Sequence, residues 1–338
     1  MKTGPALFIT MVTTAVAIGL LMSRGMPPTI SVGEAFRTGD VSQLRRFEAW
    51  GGRVLCDYGG AWTPLHRAVF DKHRDLVAFL LSRGADPNAR GRIEPMNETP
   101  LQMALRQDDL DLAGLLIEYG GDPNLPMGDI MQPLEWAIRG RRREVALWLL
   151  NHGANPSGVP EGPGRPLQAA AAREDVEMVR TLLDYGADPD DGSLGEDTPL
   201  CLAAKRGTVV VMSLLLDAGA EVDRRGGSER TPLHLACGGG LPLLSANLDD
   251  TPPIPPPFVG NPVAVAMLLD HGANIEATDY YGDTPLLLAT EKRQTEVVRL
   301  LLQRGANPKA ANRFGNTALV IATRNGSQDI VEMLQRHP

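Results

Sequence analysis

The chain has 338 residues, and 41 acidic against 33 basic side chains leave it a formal net charge of −8. Such a balance excludes a partner gripped by a broad basic surface, nucleic acid above all. Hydrophobic residues are 43% of the sequence and aromatics only 5%, which suits thin layers of small and aliphatic side chains, and the odd set Cys56, Cys201 and Cys237 offers no disulfide framework.

The first element is a charge-free apolar stretch from Pro5 to Met22, bounded by Lys2 and Arg24. Its length sits at the lower limit for crossing a bilayer and slightly above an ordinary signal-peptide core, so residues 1–29 read as a transmembrane anchor with a short linker or as a signal peptide. Either reading implies export. The amino terminus and Lys2 outweigh Arg24, which keeps the tail cytoplasmic and translocates the rest, to the periplasm if the cell is bacterial. No cysteine precedes Cys56, which argues against a lipid anchor.

From residue 30 onward one unit recurs. Thr-Pro-Leu or a close relative begins at Thr63, Thr99, Gln132, Arg165, Thr198, Thr231, Thr284 and Thr317, at intervals of 36, 33, 33, 33, 33, 53 and 33 residues. Gly51, Gly84, Gly120, Gly153, Gly186, Gly219, Gly272 and Gly305 recur in step. A fixed period near 33 residues predicts a stacked solenoid of about nine layers, one elongated domain over 30–338 rather than two globular ones.

Each copy explains its own fold. Threonine caps a helix start and proline fits the first helical position, where no amide donor is needed. A short helix runs to about Phe70 and turns through Asp71, Lys72 and His73; a second helix then places Leu76, Val77, Leu80 and Leu81 on one stripe. Gly84 terminates it in a left-handed conformation and Pro87 prevents its resumption. The Gly-, Asn-, Asp- and Pro-rich remainder reads as a projecting turn, a finger. Leu183 and Leu215 are read as core positions in later copies.

Thr63-Pro64-Leu65-His66 with Ala68, a paired leucine and Gly84-Ala85-Asp86, met again in Thr284 to Asn307, resembles the ankyrin repeat family. The resemblance implies an all-α solenoid of helix-turn-helix units with β-turn fingers, whose concave face and fingers grip partner proteins. The family histidine survives only as His66 and His234, where the resemblance implies a brace between adjacent turns; Gln102, Glu135, Gln168, Cys201, Leu287 and Val320 replace it elsewhere. Gln132 and Arg165 replace the capping threonine and predict weaker caps. Ala35, Leu44, Phe47 and Gly51 mark a degenerate first unit that reads as an N-terminal cap, and Thr317 to Pro338, with no finger after it and a polar outer surface, reads as the other.

No catalytic constellation, metal motif or cofactor signature emerges. His152 and His271 precede terminating glycines and suit helix C-termini. The run Arg139, Arg141, Arg142 and Arg143 reads as a solvated turn between helices, and Cys201 and Cys237 as core fillers. The expected activity is protein binding by a monomer. Its specific forms are an inhibitor of a secreted toxin or enzyme, or a periplasmic scaffold for stress-protective enzymes.

Two surfaces are candidates for that binding. Apolar residues stand where fingers face solvent, at Ile93 and Met96, at Met127, Ile130 and Met131, at Tyr280 and Tyr281, and at Phe314, with Arg224, Arg225 and Arg313 as charged rim residues. The second surface is the one break in phase. Between Thr231 and Thr284 the chain spends 20 residues more than the period requires, in a proline-dense insertion at about 241–261 that includes Ile254 and Phe258. Helix two is expected to resume at about Val263. The insertion reads as an inter-helix loop, a tolerated excursion or a partner-binding segment.

Overall fold

The computed structural model describes residues 32–55, 62–91, 97–128, 131–158, 165–192, 196–239 and 260–337. The N-terminal apolar stretch, Cys56, Ile93, Met96, Ile130, Ile254 and Phe258 lie outside them. No helix among the described residues is long and apolar enough to cross a membrane.

The Thr63 repeat shows why these residues form these elements. The Thr63 Oγ1 accepts from the His66 amide at 3.4 Å, while His66 Nδ1 accepts from the Thr63 amide at 3.3 Å. The pair forms a capping box around Pro64 at the first helical position. Helix Pro64–Phe70 follows, the chain reverses through Lys72 at φ 58°, and helix Arg74–Ser82 returns. That second helix ends because Gly84 adopts φ 86°: its amide donates to the Leu81 carbonyl at 2.9 Å and the Ala85 amide to Leu80 at 3.1 Å, the two bonds of a Schellman turn. A side chain at Gly84 would meet nothing within 4 Å, so the glycine is required for its dihedral angle and not for space.

The same hairpin recurs along the chain. Its first helices are Val32–Thr38, Pro64–Phe70, Pro100–Arg106, Pro133–Arg139, Pro166–Ala172, Pro199–Arg206, Pro232–His234, Pro285–Glu291 and Ala318–Asn325. The second helices are Val41–Ala49, Arg74–Ser82, Leu110–Glu118, Arg143–Asn151, Val176–Asp184, Val209–Asp217, Pro262–Asp270, Thr295–Gln303 and Gln328–Arg336. No strand occurs among the described residues, whose only β pairings are the bridges Met127 to Met131 and Ala311 to Thr317.

The chain divides into two compact units, Met1–Ala137 with Glu144–Ala154, and Ile138–Arg143 with Asn155–Pro338. Within the first, helix Pro64–Phe70 packs on Pro100–Arg106 and Arg74–Ser82 on Leu110–Glu118. Within the second, Pro166–Ala172 packs on Pro199–Arg206, Val176–Asp184 on Val209–Asp217, and so on to Gln328–Arg336. First helices therefore stack on first helices and second on second. Leu76, Val77, Leu80, Leu149, Leu182 and Leu215 are wholly buried between layers, each worth about 1.5–3 kcal/mol of hydrophobic stabilisation. Leu183 departs from its expected core place and is only half-buried, because it is Leu182 that falls on the inward stripe.

The insertion begins from an altered first helix. Pro232–His234 continues into a π-helical turn, Leu235–Gly239, broken by Gly238 at φ 88°. Phase is recovered at Asn261, whose amide donates to the Ala236 carbonyl at 3.2 Å, the bond that Thr208 makes to Ala203 at 3.1 Å one repeat earlier. Asn261 also caps helix Pro262–Asp270, accepting from Val263 at 3.0 Å. The second helix thus resumes where its spacing placed it.

Candidate functional site

The fingers are tied to one another by residues of the same period. Asn88 Nδ2 donates to the Gly120 carbonyl at 2.8 Å and its Oδ1 accepts from the Asp122 amide at 2.8 Å. Asn124 reaches Gly153 at 3.1 Å, Ser157 the Asp188 amide at 2.8 Å, Asp190 the Glu221 amide at 2.9 Å, Asp223 the Asn274 amide at 3.0 Å and Glu276 the Asn307 amide at 2.7 Å. The acids two positions earlier, Asp86, Asp122 and Asp188, recur visibly in the sequence, whereas the ladder itself does not stand out from it. The signal was present, since the ladder positions share the repeat's spacing. Their varied chemistry (Asn, Ser, Asp, Glu) hid a common role in binding the backbone of the next finger, as acceptors for an amide at Asn88, Ser157, Asp190, Asp223 and Glu276 and as a donor to a carbonyl at Asn124.

A second set of braces starts inside the first helices. His66 Nε2 donates to the Glu98 carbonyl at 2.8 Å and His234 Nε2 to Asp283 at 3.0 Å. Gln102 makes the equivalent bond to Leu125 at 2.8 Å and Gln168 to Asp197 at 3.1 Å; the Cys201 thiol approaches the Arg224 carbonyl at 3.7 Å. In both histidines Nδ1 accepts from the threonine cap, so the ring proton sits on Nε2 and the ring is neutral. Burial favours that form, lowering the His66 pKa and taking His234 to about 4. His152 and His271 close the last turns of their helices, Nδ1 meeting the Trp148 carbonyl at 2.7 Å and Met267 at 2.8 Å.

On this braced frame the last fingers of the second unit present an aromatic cluster. Tyr280 and Tyr281 meet edge to face at 5.3 Å between centroids, Phe314 stacks 6.5 Å from Tyr281, and the Arg313 guanidinium lies 5.4 Å from the Tyr280 ring. All three rings are exposed, Phe314 by 72%. Beneath them the polar groups are satisfied. Asp279 Oδ1 accepts from the Tyr281 and Asp283 amides at 2.9 and 3.0 Å, and its Oδ2 takes an ion pair from Arg230 at 3.1 Å. Asn312 Oδ1 accepts from the Phe314 and Asn316 amides at 3.0 Å each, while its Nδ2 donates to Asp283 Oδ1 at 2.7 Å. Gly282, at φ 78°, lies against Arg313, where an added Cβ would come within 3.1 Å of the Arg313 backbone nitrogen. Burial raises the Asp283 carboxyl pKa and the Asn312 bond opposes it.

Of the other rim residues, Arg225 is exposed and donates to the Thr278 carbonyl at 2.7 Å, which joins its finger to the aromatic one; Arg224 is exposed beside Glu221 at 3.9 Å. Met127 departs from expectation. It is buried, because its amide pairs with the Met131 carbonyl at 2.7 Å and the bridge folds the side chain inward; Met131 is half-buried. Of the expected surface the structure therefore brings together Tyr280, Tyr281, Arg313 and Phe314, with Arg225 linked to them, and sets Met127 apart. Arg139, Arg141 and Arg143 are exposed, Arg141 in the inter-helix turn and the other two at the helix ends that flank it, with Arg143 3.7 Å from Glu177. Cys201 and Cys237 are buried free thiols, and burial raises both, Cys201 to about 11.

Comparison with known families matches residues 62–92 and 96–127 to the ankyrin repeat, 134–183 to ankyrin repeats (many copies), and 166–245 and 258–337 to ankyrin repeats (3 copies). Together these segments span well over half of the sequence. The chain belongs to the ankyrin repeat family. Its ankyrin hairpins form an all-α solenoid architecture, and ankyrin repeats are protein–protein interaction modules that typically act without catalysis. Comparison with curated proteins returns no match.

Proposed function

We propose that this ankyrin repeat protein binds its partner through the finger edge built on Tyr280, Tyr281, Arg313 and Phe314. The carrying observation is the exposed aromatic cluster on fingers whose backbone amides are already held by Asp279 and Asn312. Large rings on a braced backbone lose little conformational freedom on association, which is the usual condition for residues that dominate binding energy. Arg225 and Arg313 supply rim charge to a partner with acidic groups around an apolar centre. The triple variant Tyr280→Ala, Tyr281→Ala, Phe314→Ala tests this. It is expected to abolish capture of the partner in a pull-down while melting like the wild type; undiminished capture would place recognition elsewhere.

Export belongs to the same proposal. The uncharged stretch from Pro5 to Met22 supports an N-terminal anchor or signal that carries the repeats out of the cytoplasm. Fractionation of a C-terminal reporter fusion is expected to show it translocated, and a strictly cytoplasmic reporter would refute export.

A further inference from the structure

From the Thr63 repeat onward, second helices carry an acid at their second position, Asp75, Asp111, Glu144, Glu177, Glu296 and Asp329, where the helix dipole favours one. Val209–Asp217 and Pro262–Asp270 have valine there instead, and neither helix carries a charge before its last residue. Val210 and Val263 are 57% and 61% exposed, and Leu214 and Met267, one turn further along, are half-buried. The two helices pack side by side, so their outward faces form one apolar strip. A single surface valine needs no explanation; two at one register of neighbouring repeats, each in place of a favoured acid, mark a face kept clear of charge for contact.

The borders of the strip decide what fits it. On one side Val176–Asp184 presents Glu177 at its second position and Arg180 at its fifth; on the other, Thr295–Gln303 presents Glu296 and Arg299 at the same two positions, and all four are exposed. Each border is therefore acidic near the helix start and basic about 4.5 Å further along. A second copy of this face meets it about a two-fold axis in one of two ways. If the axis runs along the helices, Glu177 meets Glu296 of the second copy and Arg180 meets Arg299, and like charges repel. If it runs across them, the helices pair antiparallel: Glu177 meets Arg180 on one border and Glu296 meets Arg299 on the other, while Val210 and Val263 lie against Ser213 and Ala266. The Ser213 hydroxyl already donates to Asp217 at 3.2 Å and brings no unmet polar group to the contact. The present ion pairs of the border, Glu177 with Arg143 at 3.7 Å and Glu296 with Arg299 at 3.4 Å, are exposed and cost little to exchange. Four helices about 10 Å apart and about 13 Å long offer about 500 Å² per copy, the lower end for a specific association. We propose that the chain pairs with a second copy of itself through the Val210–Val263 strip, antiparallel about a two-fold axis across the helices. The area sets its dissociation constant on the order of micromolar. The fingers follow the ends of these helices and the strip lies at their starts, so the proposal is independent of the finger-edge reading.

Sedimentation velocity of the full chain, in a non-ionic detergent that masks the Pro5–Met22 stretch, is expected to show a dimer at about 100 μM. Val210→Glu with Val263→Glu, which gives these helices the acid that Glu144, Glu177 and Glu296 place at the same position, is expected to raise the dissociation constant at least about tenfold. Charge variants then test the arrangement. Arg180→Glu with Arg299→Glu makes both borders acidic, and Glu177→Arg with Glu296→Arg makes both basic. Each is expected to be monomeric alone, and the two mixed in equal amounts to dimerise with about wild-type affinity. Rescue on mixing cannot come from variants that fail to fold, so the mixture decides alone if the glutamate pair unfolds. A monomeric wild type overturns the proposal, as does a dimer that survives the two glutamates or a mixture that stays monomeric.

Discussion

His66, Gln102, Gln168, Cys201 and His234 occupy one position of the first helix and turn towards the following finger. For His66 and His234 the role has a pH signature. Both rings are held neutral by burial, so the folded chain binds fewer protons than the unfolded chain as pH falls through the ordinary histidine range. For His234 the stabilisation is complete above about pH 6.5 and is lost progressively towards about pH 4, up to about 3 kcal/mol, and His66 acts in the same direction. Glu98, Asp190, Asp191 and Asp283 have raised values from burial and act in the opposite sense. The comparison therefore belongs between proteins at each pH. His234→Gln, which keeps a donor as Gln102 does, is expected to remain stable near neutrality and to flatten the loss between pH 6.5 and 4 in urea titrations; an unchanged slope would show that His234 is not the titrating brace. The histidine brace was legible because the motif names it. The burial of Met127 was not, since it depends on a bridge to Met131 that no periodicity encodes.

At the scale of elements, caps and their substitutes decide local stability. Thr63, Thr99, Thr198, Thr284 and Thr317 all accept from the third amide of their helices, whereas Arg165 makes no side-chain cap. A threonine there would regain about 1 kcal/mol. Arg165, however, lies 3.6 Å from Asp191, both side chains being mostly buried, and loss of that partner costs about 1–3 kcal/mol. The pair outweighs the cap. Arg165→Thr is expected to lower the urea midpoint, and Arg165→Thr with Asp191→Asn to restore or exceed the wild-type value; a stabilised single variant would show that the ion pair contributes nothing. The substituted cap was readable from the sequence, but its compensation was not, because the two residues meet only when the finger folds back over the helix start. The resumption of phase at Asn261 was readable to within two residues, since Val265, Leu268 and Gly272 kept their spacing through the insertion.

Across the whole molecule, repeats that touch only their neighbours should fail locally. The chain carries its own reporters: Trp50, Trp62, Trp136 and Trp148 all lie in the first compact unit, and the buried thiols of Cys201 and Cys237 in the second. Leu215→Ala, which opens a fully buried site, is expected to cost about 2–5 kcal/mol. In a Cys56→Ser background it should shift the denaturant midpoint of thiol labelling more than that of tryptophan fluorescence, and Leu149→Ala should do the reverse; equal shifts in both would mean one cooperative transition. The repeat architecture was legible at this scale because the period is a global property of the sequence. The candidate surface was legible only in part, since exposure separates Tyr280 and Phe314 from Met127 and exposure is a property of the folded fingers.

The most direct test is the dissociation constant of the captured partner for Tyr280→Ala, Tyr281→Ala and Phe314→Ala singly, beside Tyr119→Ala, a ring about as exposed as Tyr281 at the end of helix Leu110–Glu118. Finger-edge recognition predicts a loss of about tenfold or more for at least two of the three finger variants and no change for Tyr119→Ala. Wild-type affinity in all three finger variants, or an equal loss at Tyr119, would contradict it.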